Sequence, residues 1–226
     1  MGRAAGTDSR LTILGETRYH LSPMKSSTAA IVKRRVLRAR PGTFLRVSEL
    51  AEHPASRHAV EHALSRLAAS DAPIVRAHKG LYFRGNESRF GKTRPRPVDV
   101  ALEVTRDRGS GPAGWTALRT LGVTTQVPSV DEIALLGAPP TGIDGVRFHV
   151  RRNPVRLGLT LHEIATLEAV RAWPTHVGGD WGDLRTAIGG LVADGRIRPT
   201  RLRKAANSEP SRVRDTLVTL LAPTAT

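Results

Sequence analysis

The chain has 226 residues, with 35 Lys+Arg against 20 Asp+Glu and a formal net charge of +15. It has no cysteine, which excludes disulfides, thiolate zinc sites and cysteine nucleophiles together. It also lacks a run of about eighteen apolar residues, which excludes a hydrophobic membrane-spanning helix. The charge is uneven: the first 97 residues carry 19 Lys/Arg and 7 Asp/Glu, the remainder 16 and 13. A positive field so concentrated favours a polyanion through counterion release. No helix pairs a basic face with bulky aromatic anchors, which argues against a membrane surface.

Residues 1–25 show no sustained periodicity and read as a disordered extension, with Met24 as an alternative start. They lack the apolar core and small-residue site of a secretory signal, so a cytoplasmic location is expected. Ser26 to Arg40 reads as a helix capped by Ser27 or Thr28, with Val32, Val36 and Ala39 on its inner side and Pro41-Gly42 as its stop. Its other side carries Lys33, Arg34, Arg35 and Arg38, suited to lying along phosphates. Thr43–Leu45 is long enough only for a short edge strand. Val47 to His53 reads as a second short helix with Leu50 as its core contact, broken by Pro54.

Ser56 is placed to cap a third helix. In it Val60, Leu64 and Leu67 recur at helical spacing with Ala63 beside them, and nothing else there can face a core. That leaves Arg57, His58, Glu61, His62 and Ser65 outward, with Arg66 at the flank. Arg57 and the histidines suit base edges or phosphates, and Glu61 can accept from a cytosine amino group. Ile74–Ala77 and Leu81–Arg84 are strand-like, joined through His78-Lys79-Gly80, where Gly80 supplies the positive φ of a tight hairpin. A short helix followed by a two-stranded basic ribbon is how a winged helix-turn-helix unit ends. The expected DNA-binding domain is 26–85, with Arg34, Arg38, Ser56, Arg57, His58, Glu61, His62, Arg66, His78, Lys79 and Arg84 as its DNA contacts.

Residues 86–97 are polar, basic and proline-containing and read as a linker. Residues 98–222 then read as a mixed α/β domain ending in helices, making the chain α+β. The expected elements are a helix over Val98–Arg106, a loop at Gly109–Pro112 and a helix from Trp115 to Leu121. Strands or extended segments follow at Val123–Val127 and Ile133–Leu136, then an alternating strand at Val146–Val150. Thr160 and Asp180 are placed to cap two further helices, the RIRPTRLRKA run reads as a basic connection, and Ser211–Leu221 reads as a last helix.

Two motifs in this order resemble a known family. The run S-R-x-A-V-x-x-A-L-S-R-L (Ser56 to Leu67) followed by I-V-R-A-H-K-G-L-Y (Ile74 to Tyr82) resembles the N-terminal winged helix of AbiEi-type antitoxins of type IV toxin–antitoxin systems. Gly114-Trp115-Thr116-Ala117-Leu118 with Leu121-Gly122-Val123-Thr124-Thr125-Gln126-Val127-Pro128 resembles that family's second signature. The likeness covers roughly residues 26 to 152, and Arg46 stands near where the family carries a capping Thr or Ser. The resemblance implies a repressor that binds inverted repeats in its own promoter. It also implies a second domain that neutralises a nucleotidyltransferase-like toxin.

Catalytic patterns are thin. His58-Ala59-Val60-Glu61-His62 fits the zinc-hydrolase pattern H-x-x-E-H, but its histidines point away from the core face and no third ligand is evident. The glycines at 109–114 are followed by no Gly-Lys-Ser/Thr, and Pro112 removes a backbone donor. Asp180 and Asp183 read as turn and cap residues. Trp115, Trp173 and Trp181 read as core or interface anchors. The expectation is a non-enzyme without cofactor or metal. The competing expectation is a basic module that binds an acidic partner protein, with only non-specific DNA binding.

Overall fold

The computed structural model describes residues 27–51, 56–173 and 181–222. Three sequence expectations lie outside these residues: the extension 1–25, the Pro54 break and the Asp180 cap. The fold is α+β.

The first unit runs α1 (Thr28–Arg38), β1 (Thr43–Arg46), α2 (Val47–Leu50), α3 (Arg57–Ala69), β2 (Ile74–His78) and β3 (Leu81–Arg84). Ser27 caps α1 by accepting from Ala30 N. Ala39, expected inside the helix, is instead its half-buried C-cap. The strands form an antiparallel sheet in the order β1-β3-β2. Gly80 turns between β2 and β3 at φ 69°, a conformation costly for any residue with a Cβ. Val32 and Val36 of α1, Val60, Ala63 and Leu64 of α3, and Ile74 and Tyr82 of the sheet share one core. This is the seam that the helical spacing predicts, and it leaves the other faces of α1 and α3 in solvent.

The segment expected as a linker is built structure. It folds into a small hairpin, β4 (Glu87–Ser88) paired with β5 (Gly91–Lys92). Lys92 Nζ donates to the Ala68 and Ser70 carbonyls at the C-terminal end of α3. A cation there neutralises the negative end of the helix.

The second unit contains α4 (Pro97–Thr105), β6 (Gly111–Pro112), α5 (Gly114–Thr120), β7 (Asp131–Leu136), β8 (Val146–Arg151), a 3₁₀ turn at Pro154–Gly158, then α6 (Leu161–Ala172), α7 (Trp181–Ala193), α8 (Pro199–Ala206) and α9 (Ser211–Leu220). β6 pairs antiparallel with β7, and β7 pairs parallel with β8. Gly109–Pro112, expected as a loop, thus contributes a short strand. Val123–Val127, expected as a strand or extended segment, forms no strand. The basic connection is α8: Leu202, Ala205 and Ala206 recur at helical spacing and are buried, while its cations stay outside. Thr160 and Glu163 form a full capping box at the start of α6.

A larger core joins α5 to α6, α7, α8 and α9 around Leu118, Leu167, Leu184, Ile188, Leu202 and Leu217. Beside it lies a set of ion pairs sealed from water. Arg156 is 0% exposed and pairs with Glu168 at 2.7 Å and Glu209 at 2.8 Å. Arg151 and Arg171, each partly exposed at the rim, reach the same two carboxylates, so three arginines share two negative charges.

The two units touch through polar contacts. Arg46, the residue before α2, bonds Glu103 Oε1 of α4 at 2.9 Å and also donates to the Glu103 carbonyl. Arg106 bonds both Glu103 and Glu49. Position 46 therefore holds an arginine that reaches across to the second unit, and makes no side-chain cap on α2.

Candidate nucleic-acid interface

The candidate surface is built on α3, because its buried seam leaves one direction free. Arg57, His58, His62 and Arg66 are exposed, and Glu61 is partly so. The two imidazoles converge, with Nε2 atoms 3.2 Å apart and ring centroids 4.3 Å apart. Glu61 lies 4.0 Å from Arg76 of β2, an exposed cation absent from the expected set. Lys33 of α1 and Arg66 of α3 line one cleft of about 420 Å³ between the two helices. Arg34 and Arg38 lie on the side of α1 opposite Val32 and Val36, exposed to solvent. Lys79 is exposed at the β2–β3 turn.

Three expected contacts are placed differently. Ser56 lies in a 3₁₀ turn with φ −86° and ψ −9°, and its side chain makes no capping hydrogen bond. A capping serine needs an extended backbone to aim its oxygen at the helix amides, and this one has turned helical too early. The His78 Nε2 lies 2.9 Å from the Thr141 carbonyl, so its ring faces the second unit. Arg84 is half-buried and donates to the Gly85 and Pro73 carbonyls, tying the end of β3 to the start of β2. Sequence spacing assigns both residues to the ribbon but is silent on the carbonyls that claim them.

The hairpin β4–β5 adds a feature that the linker reading missed. Phe90 at its tip is 85% exposed, and the Arg89 guanidinium lies over its ring at 4.6 Å from the centroid. The hairpin therefore carries an exposed aromatic ring and a cation at its tip. Its sequence signal was the Ser-Arg-Phe-Gly turn between Glu87 and Lys92.

The second family-like motif also lines a cleft. Gln126, Val127 and Pro128 stand with Trp115, Glu132 and Arg147 around about 270 Å³. The Glu132 carboxylate bonds His149 at 2.7 Å and has Arg147 at 4.0 Å. Gly114, at φ 51°, begins α5 directly against that carboxylate, and a Cβ there would run into Glu132 Oε1. The glycine of the motif is therefore set by close approach as well as by backbone conformation. Val127 remains 75% exposed at the cleft mouth.

Among the described residues, no group of three or more His, Cys, Asp or Glu side chains forms a metal-holding cluster. No helix among them is long and apolar enough to cross a membrane. No protein-family model matches the chain, and no curated protein matches it. Among solved structures it is similar to the crystal structure of the RV2827C protein from Mycobacterium tuberculosis. That match has a TM-score of 0.43 and 20% identity, and covers 86% of this chain and 76% of that one.

Proposed function

We propose that this chain is a DNA-binding transcriptional repressor and the antitoxin of a type IV toxin–antitoxin pair. In this reading residues 26–85 are a winged helix-turn-helix unit that binds inverted repeats in its own promoter. The observation that carries it is the order α1-β1-α2-α3-β2-β3 with sheet order β1-β3-β2, in which α3 keeps one face free beside a basic turn. In such units the third helix enters the major groove and the ribbon grips the backbone beside it. Lys33, Arg34, Arg38 and Lys79 supply phosphate contacts, and Arg57, His58, Glu61 and His62 supply base choice. His78 and Arg84 are reassigned to holding the ribbon.

The antitoxin part of the reading rests on the two-motif resemblance, and the nucleotidyltransferase-like toxin and the cytoplasmic location come with it. The cleft beneath Gln126–Pro128, with Val127 open to solvent, supports a partner-facing role for the second unit. The chain is proposed to act by binding, without catalysis or cofactor.

The test is a titration of the chain against a duplex from the region upstream of its own gene and against random DNA of equal length. Arg57→Ala is expected to weaken binding to the upstream duplex by roughly 1–3 kcal/mol, about 5- to 150-fold, and to leave random DNA nearly unchanged. Equal losses on both duplexes would remove Arg57 from base reading. Equal affinity of the unaltered chain for both would sink the repressor reading and favour the basic interaction module.

A further inference from the structure

The H-x-x-E-H run, which the repressor reading uses for base choice, also has a geometry of its own. His58 and His62 lie one helical turn apart on the outward side of α3, both exposed. Their Nε2 atoms are 3.2 Å apart, within hydrogen-bond distance so that one ring N–H donates to the other nitrogen when no ion is bound, with the rings inclined at 68°. Two imidazole nitrogens bound at about 2.0–2.1 Å to a tetrahedral ion stand about 3.3–3.4 Å apart, and in adjacent octahedral positions about 2.9 Å apart. The observed separation falls between these two.

We propose that His58 and His62 form a two-imidazole clamp for an exchangeable divalent transition-metal ion on the outward face of α3. The clamp lacks the makings of a hydrolase centre, since no third His, Cys, Asp or Glu joins it among the described residues. Water or an outside ligand fills the remaining positions. Arg57 and Arg66 on the same helix oppose a cation, while Glu61 between the two histidines favours one and is itself drawn toward Arg76. Binding is therefore of moderate strength and follows the general order for nitrogen ligands, with Ni²⁺ and Cu²⁺ above Zn²⁺.

The consequence rests on the repressor reading. With a metal on Nε2, the outermost nitrogen of each imidazole is no longer free to contact a base edge and only the inner Nδ1–H remains a donor, while the added positive charge still attracts phosphate. Metal occupancy then lowers the discrimination of the upstream duplex and preserves binding to DNA in general. The bound ion acts as a sequence-reading switch.

The experiment uses the tag-free full chain and titrates NiCl₂ and ZnCl₂ by calorimetry without DNA. One ion per chain is expected, Ni²⁺ tighter than Zn²⁺, with His58→Gln and His62→Gln each losing about tenfold or more in affinity because the chelate is broken. Both positions are exposed, and unchanged circular dichroism verifies that each variant is folded. Unaltered binding in the double variant, or no saturable binding to the native chain, overturns the clamp. The ratio of upstream to random duplex affinity is then measured with and without Ni²⁺. A ratio that falls in the native chain and stays level in the double variant supports the switch. Metal binding with an unmoved ratio leaves the clamp standing and removes the histidines from base reading.

Discussion

The two units treat their cations in opposite ways. In the first unit Lys33, Arg34, Arg35, Arg38, Arg57, Arg66 and Lys79 stand exposed on α1, α3 and the β2–β3 turn. In the second, Arg151, Arg156 and Arg171 converge on Glu168 and Glu209, and Arg198 closes on Glu163. The residue types are the same, but the roles differ. Exposed cations contribute little to stability and remain available to a polyanion, whereas buried ones are committed to folding. Net charge alone would have ranked the second unit as merely less basic. Its distinguishing property is that one group of its arginines is committed to buried carboxylates, while the cations of α8 stay outside.

The largest expected effect breaks this contrast on the committed side. Glu168→Gln leaves the fully buried Arg156 without one of its two counter-charges, at a cost of about 3–5 kcal/mol. For a chain of this size that lowers Tm by roughly 6–20 °C in a thermal melt. The double substitution Arg34→Ala/Arg38→Ala on α1 is expected to stay within about 1 kcal/mol of the native chain. Similar losses from the two changes would erase the distinction between committed and available cations.

Acid should act on the same side. Burial alone would raise the Glu168 carboxyl, but the Arg151 hydrogen bonds and the Arg156 and Arg151 charges outweigh it and hold it below its ordinary value of 4.5. Glu163 and Glu209 are held low in the same way, by Arg198 and by Arg156, against the opposing effect of burial. A carboxylate with a lowered folded pKa contributes stability that is fully present above its unfolded pKa and is lost as pH falls through the folded one. His162 is pushed below its ordinary 6.5 by burial and by Arg196, so it too favours unfolding as it protonates. Stability should therefore begin to fall below about pH 6.5 and fall more steeply below about pH 4.5. In Glu168→Gln the steeper limb should flatten, as measured by urea midpoints across the pH range. An unaltered limb would mean that Glu168 carries none of it.

What the sequence makes legible follows from the range of the interactions. The Val60–Leu64 seam, the Gly80 turn and the Thr160–Glu163 capping box are written within a few residues of one another, so periodicity and cap chemistry reach them. The β4–β5 hairpin has no apolar alternation; its Lys92 anchor uses carbonyls more than twenty residues upstream. The two-residue strand β6 exists only because β7 is there to pair with it. Glu168 and Glu209 meet Arg156 from different parts of the chain, and no local pattern distinguishes these carboxylates from solvated ones. On the candidate surface the outward direction of Arg57, His58 and His62 was legible from the helical seam. The approach of the two imidazoles to 3.2 Å was not, since it depends on their rotamers.

Arg84 and Lys79 give the finest version of the contrast, because they belong to one ribbon. Arg84 spends its guanidinium on the Gly85 and Pro73 carbonyls, and Lys79 sits exposed at the turn. Arg84→Ala is expected to cost about 1.5–3 kcal/mol of stability, since a charge-assisted hydrogen bond to the backbone is lost. It should leave the dependence of DNA affinity on salt unchanged. Lys79→Ala should do the reverse: the melting temperature holds, and the slope of log affinity against log salt concentration shrinks by about 0.9 on the upstream and random duplexes alike. If Arg84→Ala instead reduces the salt slope without lowering Tm, its side chain leaves the carbonyls for phosphate when DNA binds. The first unit would then hold a cation that serves both roles in turn.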